Sequence, residues 1–436
     1  MIAEKIESAP DVDHKHQVSF FRHSGWLMIA NIAGGVFMWA VHFLAKQMHA
    51  PEQIRAEEYG LFVAFMSVAM CVPAMPLQMV MVHQTAQALA AKRERELAGM
   101  IRLVWLGTFG LWLVLAIVVF VSQARILSQW EIKNPAGLWV TLAALLFSFW
   151  MPLFAGVLQG QQSFLWLGWA MILNGIGRVA VAALAVLALG GYAAGMMTGV
   201  LLGLATGVVI AVWQTRSLWR MPSLPFDWRS LLRQVIPPML GFGAFQFLFT
   251  ADTMFVKAYI GGDETGFYGS AGTLSRALMW LVGPLAGVMF PRIVHSAAKS
   301  EKSNLMGMVL IGTAVLAACG ALGLWVLGPW VVKLVYGENF VKLASTVMPW
   351  YAWAMVPLSL ANVLLSNLLA RSSFRVVPAL VVLAVAYGFA LTRFHASFVT
   401  VLQTLGVFSL AFLAVCAWFT WKHKEELEND GQQSVL

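Results

Sequence analysis

Three charged side chains lie well inside long apolar runs of this sequence: Arg178, Asp252 and Arg276. A charge in the middle of a bilayer costs about 2.5–3.5 kcal/mol on insertion scales, so such side chains usually face a cavity or a partner within the protein. The two guanidinium groups could line a cavity and bind an anionic ligand. They could equally be structural, satisfied by backbone carbonyls or by an acid on a neighbouring helix. The residue types alone leave both interpretations open.

Small and polar residues near the two arginines favour a cavity. Asn174 precedes Arg178 by one helical turn and shares its helix face. Asn31 lies in the first apolar run, and glycines flank Arg276 at helical spacing, which leaves space for a bulky group. We therefore predict that Arg178, Arg276, Asn174 and Asn31 line a substrate-binding cavity.

Asp252 is the one carboxylate that lies well inside an apolar run, and Arg276 lies at only slightly greater depth in the next run. A salt bridge between the two is therefore predicted. The pair could do no more than lock two helices together. Alternatively, Asp252 could bind a coupling proton or sodium ion and release its partner in one state of the protein.

Other polar residues recur at helical spacing in the run that contains Asp252. Gln246, Thr250, Thr253 and Lys257 stand at i, i+4, i+7 and i+11, which places them on one face of a helix. This polar stripe could line water, with Gln246 and Thr250 as cavity residues. It could also form ordinary hydrogen bonds between helices.

The composition requires a bilayer around most of the chain. Of its 436 residues, 60% are hydrophobic and 11% are charged, and the mean hydropathy is +0.76, so folding in water would leave far too much apolar surface exposed. A helix needs about 20 apolar residues to cross the hydrocarbon core. Twelve such stretches occur, at about 24–45, 59–82, 101–122, 137–159, 165–189, 192–215, 235–257, 266–290, 305–327, 345–369, 376–393 and 397–421.

Basic residues gather in every second connection between these stretches. If both termini lie on one side, the segments on that side carry 18 lysine and arginine residues, and the segments on the other side carry 8. Because these residues accumulate in short cytoplasmic loops, we predict that both termini are cytoplasmic. The net charge of +8 then mainly reflects the orientation of the protein in the membrane. The basic residues also have affinity for anionic lipid head groups. This charge does not indicate binding to nucleic acid.

The two halves of the chain resemble each other at an offset of 206 residues: Glu58-Tyr59-Gly60-Leu61-Phe62 opens the second stretch, and Thr265-Gly266-Phe267-Tyr268 opens the eighth. Six stretches separate equivalent positions, so both copies enter the membrane in the same direction, as parallel repeats that favour a transporter. The predicted fold is an all-α polytopic membrane protein with about twelve transmembrane helices, arranged as two parallel-repeat six-helix lobes around a central cavity. The predicted segments are a cytoplasmic N-terminal tail (1–23), an N-lobe (24–215), a cytoplasmic linker (216–234), a C-lobe (235–421) and a cytoplasmic C-terminal tail (422–436).

Prolines and glycines predict local features of two stretches. Pro73 and Pro76 predict a bend in the second stretch, because proline removes a backbone donor. Glycine recurs at every fourth position of the sixth stretch, which predicts close approach of a neighbouring helix. The ladder consists of Gly191, Gly195, Gly199, Gly203 and Gly207.

Enzymatic chemistry has little support in the sequence. No Gly-Lys dipeptide occurs, which excludes the phosphate loop G-x-x-x-x-G-K-[ST] of an ATP-driven pump. The predicted outer loops are short, and the three cysteines fall in separate apolar stretches, where cysteine behaves as a small apolar residue. We therefore predict no enzymatic activity, no catalytic residue, no metal site and no cofactor.

A set of short motifs resembles one known family. The motifs are Glu57-Glu58-Tyr59-Gly60-Leu61-Phe62, Asp252, then Gly266-Phe267-Tyr268 with Ala271, Leu274, Ser275 and Arg276, and finally Gly283-Pro284 and Phe290-Pro291-Arg292. Over about residues 20 to 420 the chain resembles the bacterial polysaccharide biosynthesis and export flippases. These oligosaccharide flippases share the multidrug/oligosaccharidyl-lipid/polysaccharide superfamily with multidrug extrusion proteins and lipid II flippases.

The resemblance implies a two-lobed carrier in the bacterial cytoplasmic (inner) membrane. Such a carrier flips an undecaprenyl-diphosphate-linked oligosaccharide, or a similar lipid-linked glycan, from the inner to the outer leaflet by alternating access. A coupling ion and contacts with a polysaccharide polymerase or a glycosyltransferase are further expectations. The diphosphate makes such a substrate anionic, which agrees with the predicted cationic lining at Arg178 and Arg276.

Two other functions remain open from the sequence. Drug-extruding relatives handle organic cations through acidic pocket residues, and an ion-coupled antiporter of that kind would depend on Asp252. A non-transporting membrane scaffold for glycan synthesis would require neither Arg178 nor Arg276.

Overall fold

The computed structural model describes residues 10–224, 226–298, 305–371 and 373–433. That part of the chain consists of helices and short connections and contains no strand. The long helices are α1 (Pro10–Ala40), α2 in two segments (Glu52–Met70 and Ala74–Ala90), α3 (Glu94–Gln129), α4 (Ala136–Gly160), α5 (Phe164–Ala183), α6 (Tyr192–Trp219), α7 (Trp228–Tyr259), α8 (Glu264–Ala298), α9 (Leu305–Tyr336), α10 (Val341–Ala370), α11 (Val377–Arg393) and α12 (Phe398–Gln433). Short helical turns continue α1 (Val41–Phe43 and Leu44–Gln47) and α5 (Leu184–Ala188), or precede α10 (Glu338–Phe340) and α11 (Phe374–Val376).

These helices are long and apolar enough for a membrane protein. Eleven of the described helices could cross a bilayer by length and composition. The remaining predicted span falls on α8, whose 35 residues exceed the ~20 that a crossing needs. The predicted all-α polytopic fold with about twelve membrane helices is therefore confirmed.

The outer surface of the helix assembly is apolar over much of its area. The most hydrophobic 18-residue window of α3 has 0% of its residues buried inside the protein. Leu106 and Val121 on this helix are 67% and 77% exposed. Side chains of this kind cannot be left in water over a whole helix face, so this face of α3 contacts lipid.

The packing of the first six helices repeats in the last six. In the first half α1 packs on α5, α2 on α4, and α4 on α6. The second half has the equivalent contacts: α7 packs on α11, α8 on α10, and α10 on α12. The sequence repeat thus corresponds to two structural repeats, here called the N-lobe (α1–α6) and the C-lobe (α7–α12).

We call the face with the connections after odd-numbered helices the odd-loop face. Its connections contact one another: the Tyr192 hydroxyl donates to the His49 carbonyl at 3.4 Å, and Gly262 N donates to Glu131 Oε2 at 3.1 Å. The opposite face carries the connections after even-numbered helices, the start of α1 and the end of α12. We call it the terminal face.

Several helices continue into the segments predicted as tails and linker. The helix α6 ends at Trp219 and α7 begins at Trp228, so most of the predicted linker 216–234 is helical. The Asp227 carboxylate caps α7 by accepting from the backbone N–H groups of Arg229 and Ser230. Of the predicted tails and linker, residues 1–9, 225 and 434–436 lie outside the described part.

The second span is interrupted near its middle. Its first segment ends at Met70 and its second begins at Ala74. Pro73 lacks a backbone N–H and disfavours helical geometry in the residue before it, so the hydrogen-bond ladder stops here. The bend predicted at Pro73 is confirmed, and it is a full break in the helix. Pro76 causes no break, because it lies inside the first turn of the second segment, where proline is tolerated.

The glycine ladder of α6 packs against α5, as predicted. A Cβ atom at Gly199 would lie 2.4 Å from the Arg178 carbonyl oxygen, and one at Gly203 would lie 2.5 Å from the Asn174 carbonyl oxygen. A larger residue at either position would push the two helices apart. The ladder therefore fixes the backbone from which the Arg178 and Asn174 side chains extend.

Candidate functional site

The predicted salt bridge in the C-lobe is present. Arg276 Nη2 on α8 lies 2.7 Å from Asp252 Oδ1 on α7. The same nitrogen donates to the Thr253 hydroxyl at 2.7 Å, and Arg276 Nε donates to the Phe249 carbonyl oxygen at 2.9 Å. Asp252 is 0% exposed and Arg276 is 6% exposed, so the pair is shielded from solvent and from lipid.

Two tyrosines complete the coordination of the Asp252 carboxylate. The Tyr268 hydroxyl on α8 donates to Asp252 Oδ2 at 2.7 Å, and the Tyr351 hydroxyl on α10 donates to the same oxygen. Both tyrosines are fully buried. The Arg276 guanidinium also lies 5.4 Å from the centre of the Tyr351 ring. Each charge of the pair thus has several partners, and three helices of the C-lobe meet at one polar cluster.

The role of Tyr351 was not predicted from the sequence. Its only signal was a phenol in an apolar run, since a buried tyrosine hydroxyl usually finds a hydrogen-bond partner. A Cβ atom at Gly272 on α8 would lie 3.0 Å from the Tyr351 ring. A glycine near Arg276 therefore admits an aromatic side chain from α10, where the sequence analysis expected space for a ligand.

Arg178 in the N-lobe has a very different environment. The residue is 8% exposed, and its Nε atom is buried without a hydrogen-bond acceptor. None of the ion pairs formed within the described part of the chain involves it. Asn174, one turn away, is 5% exposed, and its Oδ1 atom also lacks a partner. The N-lobe thus holds an uncompensated buried cation beside an unpaired amide oxygen.

The other predicted cavity residues lie elsewhere. Asn31 is on an exposed face of α1. Gln246 Nε2 donates to the Met70 carbonyl oxygen at 2.8 Å, and the Thr250 hydroxyl lies 3.3 Å from Cys71 Sγ. These two contacts join α7 to the break in α2, so the stripe makes hydrogen bonds between helices.

The structure therefore separates the residues that the sequence analysis grouped together. Within the described residues, no hydrogen bond or ion pair connects Arg178 with Arg276. Arg276 belongs to a saturated cluster in the C-lobe and Arg178 to an unsaturated one in the N-lobe. A shared substrate contact of the two arginines stays a prediction, as does the central cavity.

The two lobes meet where α2 crosses α8, close to the odd-loop face. A Cβ atom at Gly60 would lie 2.7 Å from Gly266 N, and one at Gly266 would lie 2.0 Å from the Ala56 carbonyl oxygen. Val63 and Gly269 also face each other, with 3.3 Å between the Val63 side chain and a Cβ built on the glycine. Gly60 and Gly266, and likewise Val63 and Gly269, are separated by the repeat offset of 206 residues. Equivalent residues therefore meet at the axis that relates the two lobes.

Tyr59 extends this contact into a hydrogen-bond chain across the lobes. Its hydroxyl donates to the Tyr336 hydroxyl at 3.0 Å and lies 3.4 Å from the Thr273 hydroxyl. Within the N-lobe, His42 Nδ1 lies 2.8 Å from the same oxygen. Tyr59 is 0% exposed, so the crossing is closed beneath the odd-loop face.

Charged residues reinforce the closure at the rim. Lys257 Nζ of the C-lobe lies 4.0 Å from Glu131 Oε2 of the N-lobe, and the same oxygen accepts from Gly262 N. Next to them Lys133 Nζ donates to Glu57 Oε2 at 2.8 Å. This hydrogen bond raises the pKa of Lys133 above its ordinary value, so Lys133 stays protonated. Lys133 and Glu57 both belong to the N-lobe, so between the lobes the odd-loop face is closed by the glycine contacts, by the tyrosine chain and by the contacts of Glu131 with Lys257 and Gly262.

Substitution Gly266→Ala is expected to weaken this closure. The new Cβ would collide with the backbone of α2, and overpacking of this kind typically costs about 1–3 kcal/mol. That cost shifts the population towards states open at the odd-loop face by about fivefold or more. The shift can be measured as the labelling rate of a cysteine introduced at Thr273, after Cys71, Cys319 and Cys416 have been replaced.

The matched control is Gly243→Ala on α7, where a Cβ atom would meet nothing within 4 Å. It should leave the labelling rate unchanged. Equal rates in the Gly266 and Gly243 variants would show that the glycine crossing does not limit opening.

The chain matches one family model by sequence. The family described as polysaccharide biosynthesis protein matches residues 53–297, which is more than half of the chain. No curated protein sequence matches the chain.

Solved structures match over nearly the whole chain. The chain is similar to the lipid II flippase MurJ in an inward closed conformation, with a TM-score of 0.68 and 13% identity over 91% of this chain and 87% of that one. It is also similar to an inward-facing multidrug resistance MATE family transporter of the MOP superfamily, with a TM-score of 0.61 and 13% identity over 91% and 94% of the two chains. At such low identity these matches show the fold. By the extent of the family match, the chain belongs to the polysaccharide biosynthesis protein family, and it is a multi-pass membrane protein with the fold of MOP superfamily transporters.

Proposed function

We propose that this protein flips an undecaprenyl-diphosphate-linked oligosaccharide from the inner to the outer leaflet of the bacterial cytoplasmic membrane. The flipped glycan then serves surface polysaccharide assembly. In this proposal the terminal face is cytoplasmic, because it carries 18 of the basic residues in the connecting segments and the odd-loop face carries 8. The substrate is loaded from the terminal face while the odd-loop face is closed. In this proposal the two repeat-related lobes rock about their small glycine contact, so that the binding site opens to one face and then to the other.

The observation that carries this proposal is the uncompensated charge of Arg178. A buried guanidinium without a counter-ion is costly in the membrane interior. The cost is removed when an anion binds, and guanidinium groups bind phosphate oxygens through paired hydrogen bonds. A diphosphate head group supplies both the charge and the acceptors, and the amide of Asn174 lies beside it as a further polar contact.

In this proposal Asp252 binds a coupling ion and does not bind an organic cation as substrate. Its carboxylate already has Arg276, Tyr268 and Tyr351 as partners, so an organic cation would have to displace a bound arginine. A proton on Asp252 would instead weaken the ion pair and loosen α7 from α8, which is one route to ion coupling. Extrusion of organic cations is therefore the second candidate.

A flipping assay in vesicles tests the proposal. Purified protein is reconstituted with a lipid-linked oligosaccharide, and the fraction of glycan accessible to a membrane-impermeant lectin is followed over time. We expect the protein to accelerate exposure of the glycan over protein-free vesicles and to leave the uptake of an organic cation dye unchanged. Dye uptake without glycan exposure would favour the extrusion protein, and movement of neither compound would favour a scaffold that acts with a polymerase or a glycosyltransferase.

A further inference from the structure

A cavity of about 430 Å³ opens at the odd-loop face between the two lobes. We call it the interlobe pocket. One wall belongs to the N-lobe and includes Lys46, Glu52 and Arg55, and the other belongs to the C-lobe and includes Asp263 and Asn339. The volume lies within the usual range of small-molecule sites. The pocket is distinct from the buried Arg178 and Asp252 clusters, whose residues do not line it.

The polar lining of this pocket suits a ligand that is uncharged and rich in hydroxyl groups. The lining contains two cations, Lys46 and Arg55, three carboxylates and the carboxamides of Gln53 and Asn339. Two of the carboxylates already have a cationic partner: Glu52 lies 3.8 Å from Arg55 Nη2, and Glu338 accepts from Lys333 at 2.7 Å. Cations donate hydrogen bonds, carboxylates accept them and carboxamides do both. The carboxylates would repel a phosphate. Lys46 and Arg55 would repel an organic cation. A sugar hydroxyl can donate and accept, so it can pair with every member of this set.

Two further features of the interlobe pocket point to a ligand. Arg55 Nε is buried and has no hydrogen-bond acceptor among the described residues, although Nη1 of the same group donates to the Lys46 carbonyl at 3.1 Å. The base of the pocket is aromatic: the Phe340 ring lies 4.9 Å from the Phe267 ring and 5.6 Å from the Tyr336 ring. An apolar base with a few convergent polar groups is the usual composition of a small-molecule site.

We propose that the interlobe pocket binds uncharged sugar residues of the exported glycan and that an occupied pocket stabilises closure of the odd-loop face. This inference rests on the proposed transport of a glycolipid, and it assigns a second, sugar-specific site to the side where the glycan is released. The effect on closure follows from the construction of the pocket. Its two walls belong to different lobes, so a ligand that contacts both walls binds the closed arrangement more tightly than an open one and shifts the population towards it.

Calorimetric titration of the purified protein tests the proposal without any transport step. The probes are neutral oligosaccharides of hexoses and N-acetylhexosamines, with inorganic pyrophosphate and choline as charged compounds of similar polarity. We expect binding of at least one neutral oligosaccharide, and weakening of that binding by about tenfold in Gln53→Ala and in Asn339→Ala, since each change removes one to two hydrogen bonds. Both positions are exposed, so neither change should prevent folding.

One control variant and one pair of glycine variants make the test specific. Ser128→Ala changes a second surface cavity on the same face and should leave sugar binding unchanged. Gly266→Ala, which is expected to shift the protein towards states open at the odd-loop face, should weaken sugar binding, whereas Gly243→Ala should not. The proposal is overturned if no neutral oligosaccharide binds, if pyrophosphate or choline binds at the same place as tightly, or if the Gln53 and Asn339 variants bind sugar as the wild type does.

The same titration separates this inference from the proposed function. Sugar binding without flipping of the glycolipid in vesicles would reject the transport proposal and leave the pocket assigned. Flipping without sugar binding would reject the pocket and leave the transport proposal standing.

Discussion

Substitution Asp252→Asn is expected to lower the free energy of unfolding by about 3–5 kcal/mol, because it leaves Arg276 buried without a counter-charge. The guanidinium is 6% exposed and has no other carboxylate among its partners. Chemical denaturation of the protein in detergent micelles measures the effect. Arg276→Met should be destabilising to a similar extent, since it leaves the carboxylate with two tyrosine donors and no cation.

The double variant Asp252→Asn with Arg276→Met should recover most of this loss. No charge remains in this buried cluster, and the asparagine amide oxygen can still accept from the hydroxyls of Tyr268 and Tyr351. Replacement of a buried ion pair by neutral groups of similar size is often neutral or stabilising. Strong non-additivity in this cycle is therefore expected. Additive single effects would show that the two side chains do not interact energetically in the membrane.

The same double variant separates the two roles of the pair. If Asp252 and Arg276 only lock α7 to α8, the stable double variant should transport at close to the wild-type rate. If Asp252 carries a coupling proton, the double variant should be stable but should lose any dependence of transport on the proton gradient.

The sequence predicted the local and periodic features of this protein well. Hydropathy located the membrane helices, because each span must be apolar over its own length. The glycine ladder of α6 and the break at Pro73 were predicted because their causes lie within a single helix or between adjacent ones. The Asp252–Arg276 pair was predicted because the two residues are on consecutive helices at similar depth.

Contacts between distant parts of the chain could not be predicted in the same way. Tyr351 meets Asp252 across 99 positions, and Tyr59 meets Tyr336 across 277. Neither pair has a pattern in the sequence beyond the presence of a tyrosine in an apolar run. Arg178 and Arg276 look alike in the sequence for the same reason. Their depth in the membrane can be estimated from their positions, but the presence of a counter-ion depends on which helices pack together.

The contact between Gly60 and Gly266 could be predicted in part from the sequence. The repeat offset marked the two glycines as equivalent, and parallel repeats share an axis along the membrane normal. That symmetry alone does not say which helices lie at the axis. The packing shows that α2 and α8 do, and glycine is needed at both positions because the backbones approach so closely.

The two arginines should respond in opposite ways to replacement by methionine. Arg276→Met is expected to destabilise the protein, because it leaves the Asp252 carboxylate buried without a cation. Arg178→Met should raise the free energy of unfolding by about 1–3 kcal/mol, because it removes a buried charge that forms no ion pair among the described residues. The same change should slow glycolipid flipping by about 10- to 100-fold, which corresponds to the loss of one charge-assisted hydrogen bond to phosphate.

Arg178→Lys is the matched control for charge, and Asn174→Ala is the control for the neighbouring amide. Lysine keeps the positive charge but loses the planar pair of donors, so flipping should fall less than in the methionine variant. A gain in stability together with a loss of transport indicates a residue kept for function at the expense of stability. Loss of stability in Arg178→Met, of the size expected for Arg276→Met, would show instead that Arg178 is a structural arginine, and the anionic substrate would then need another receptor.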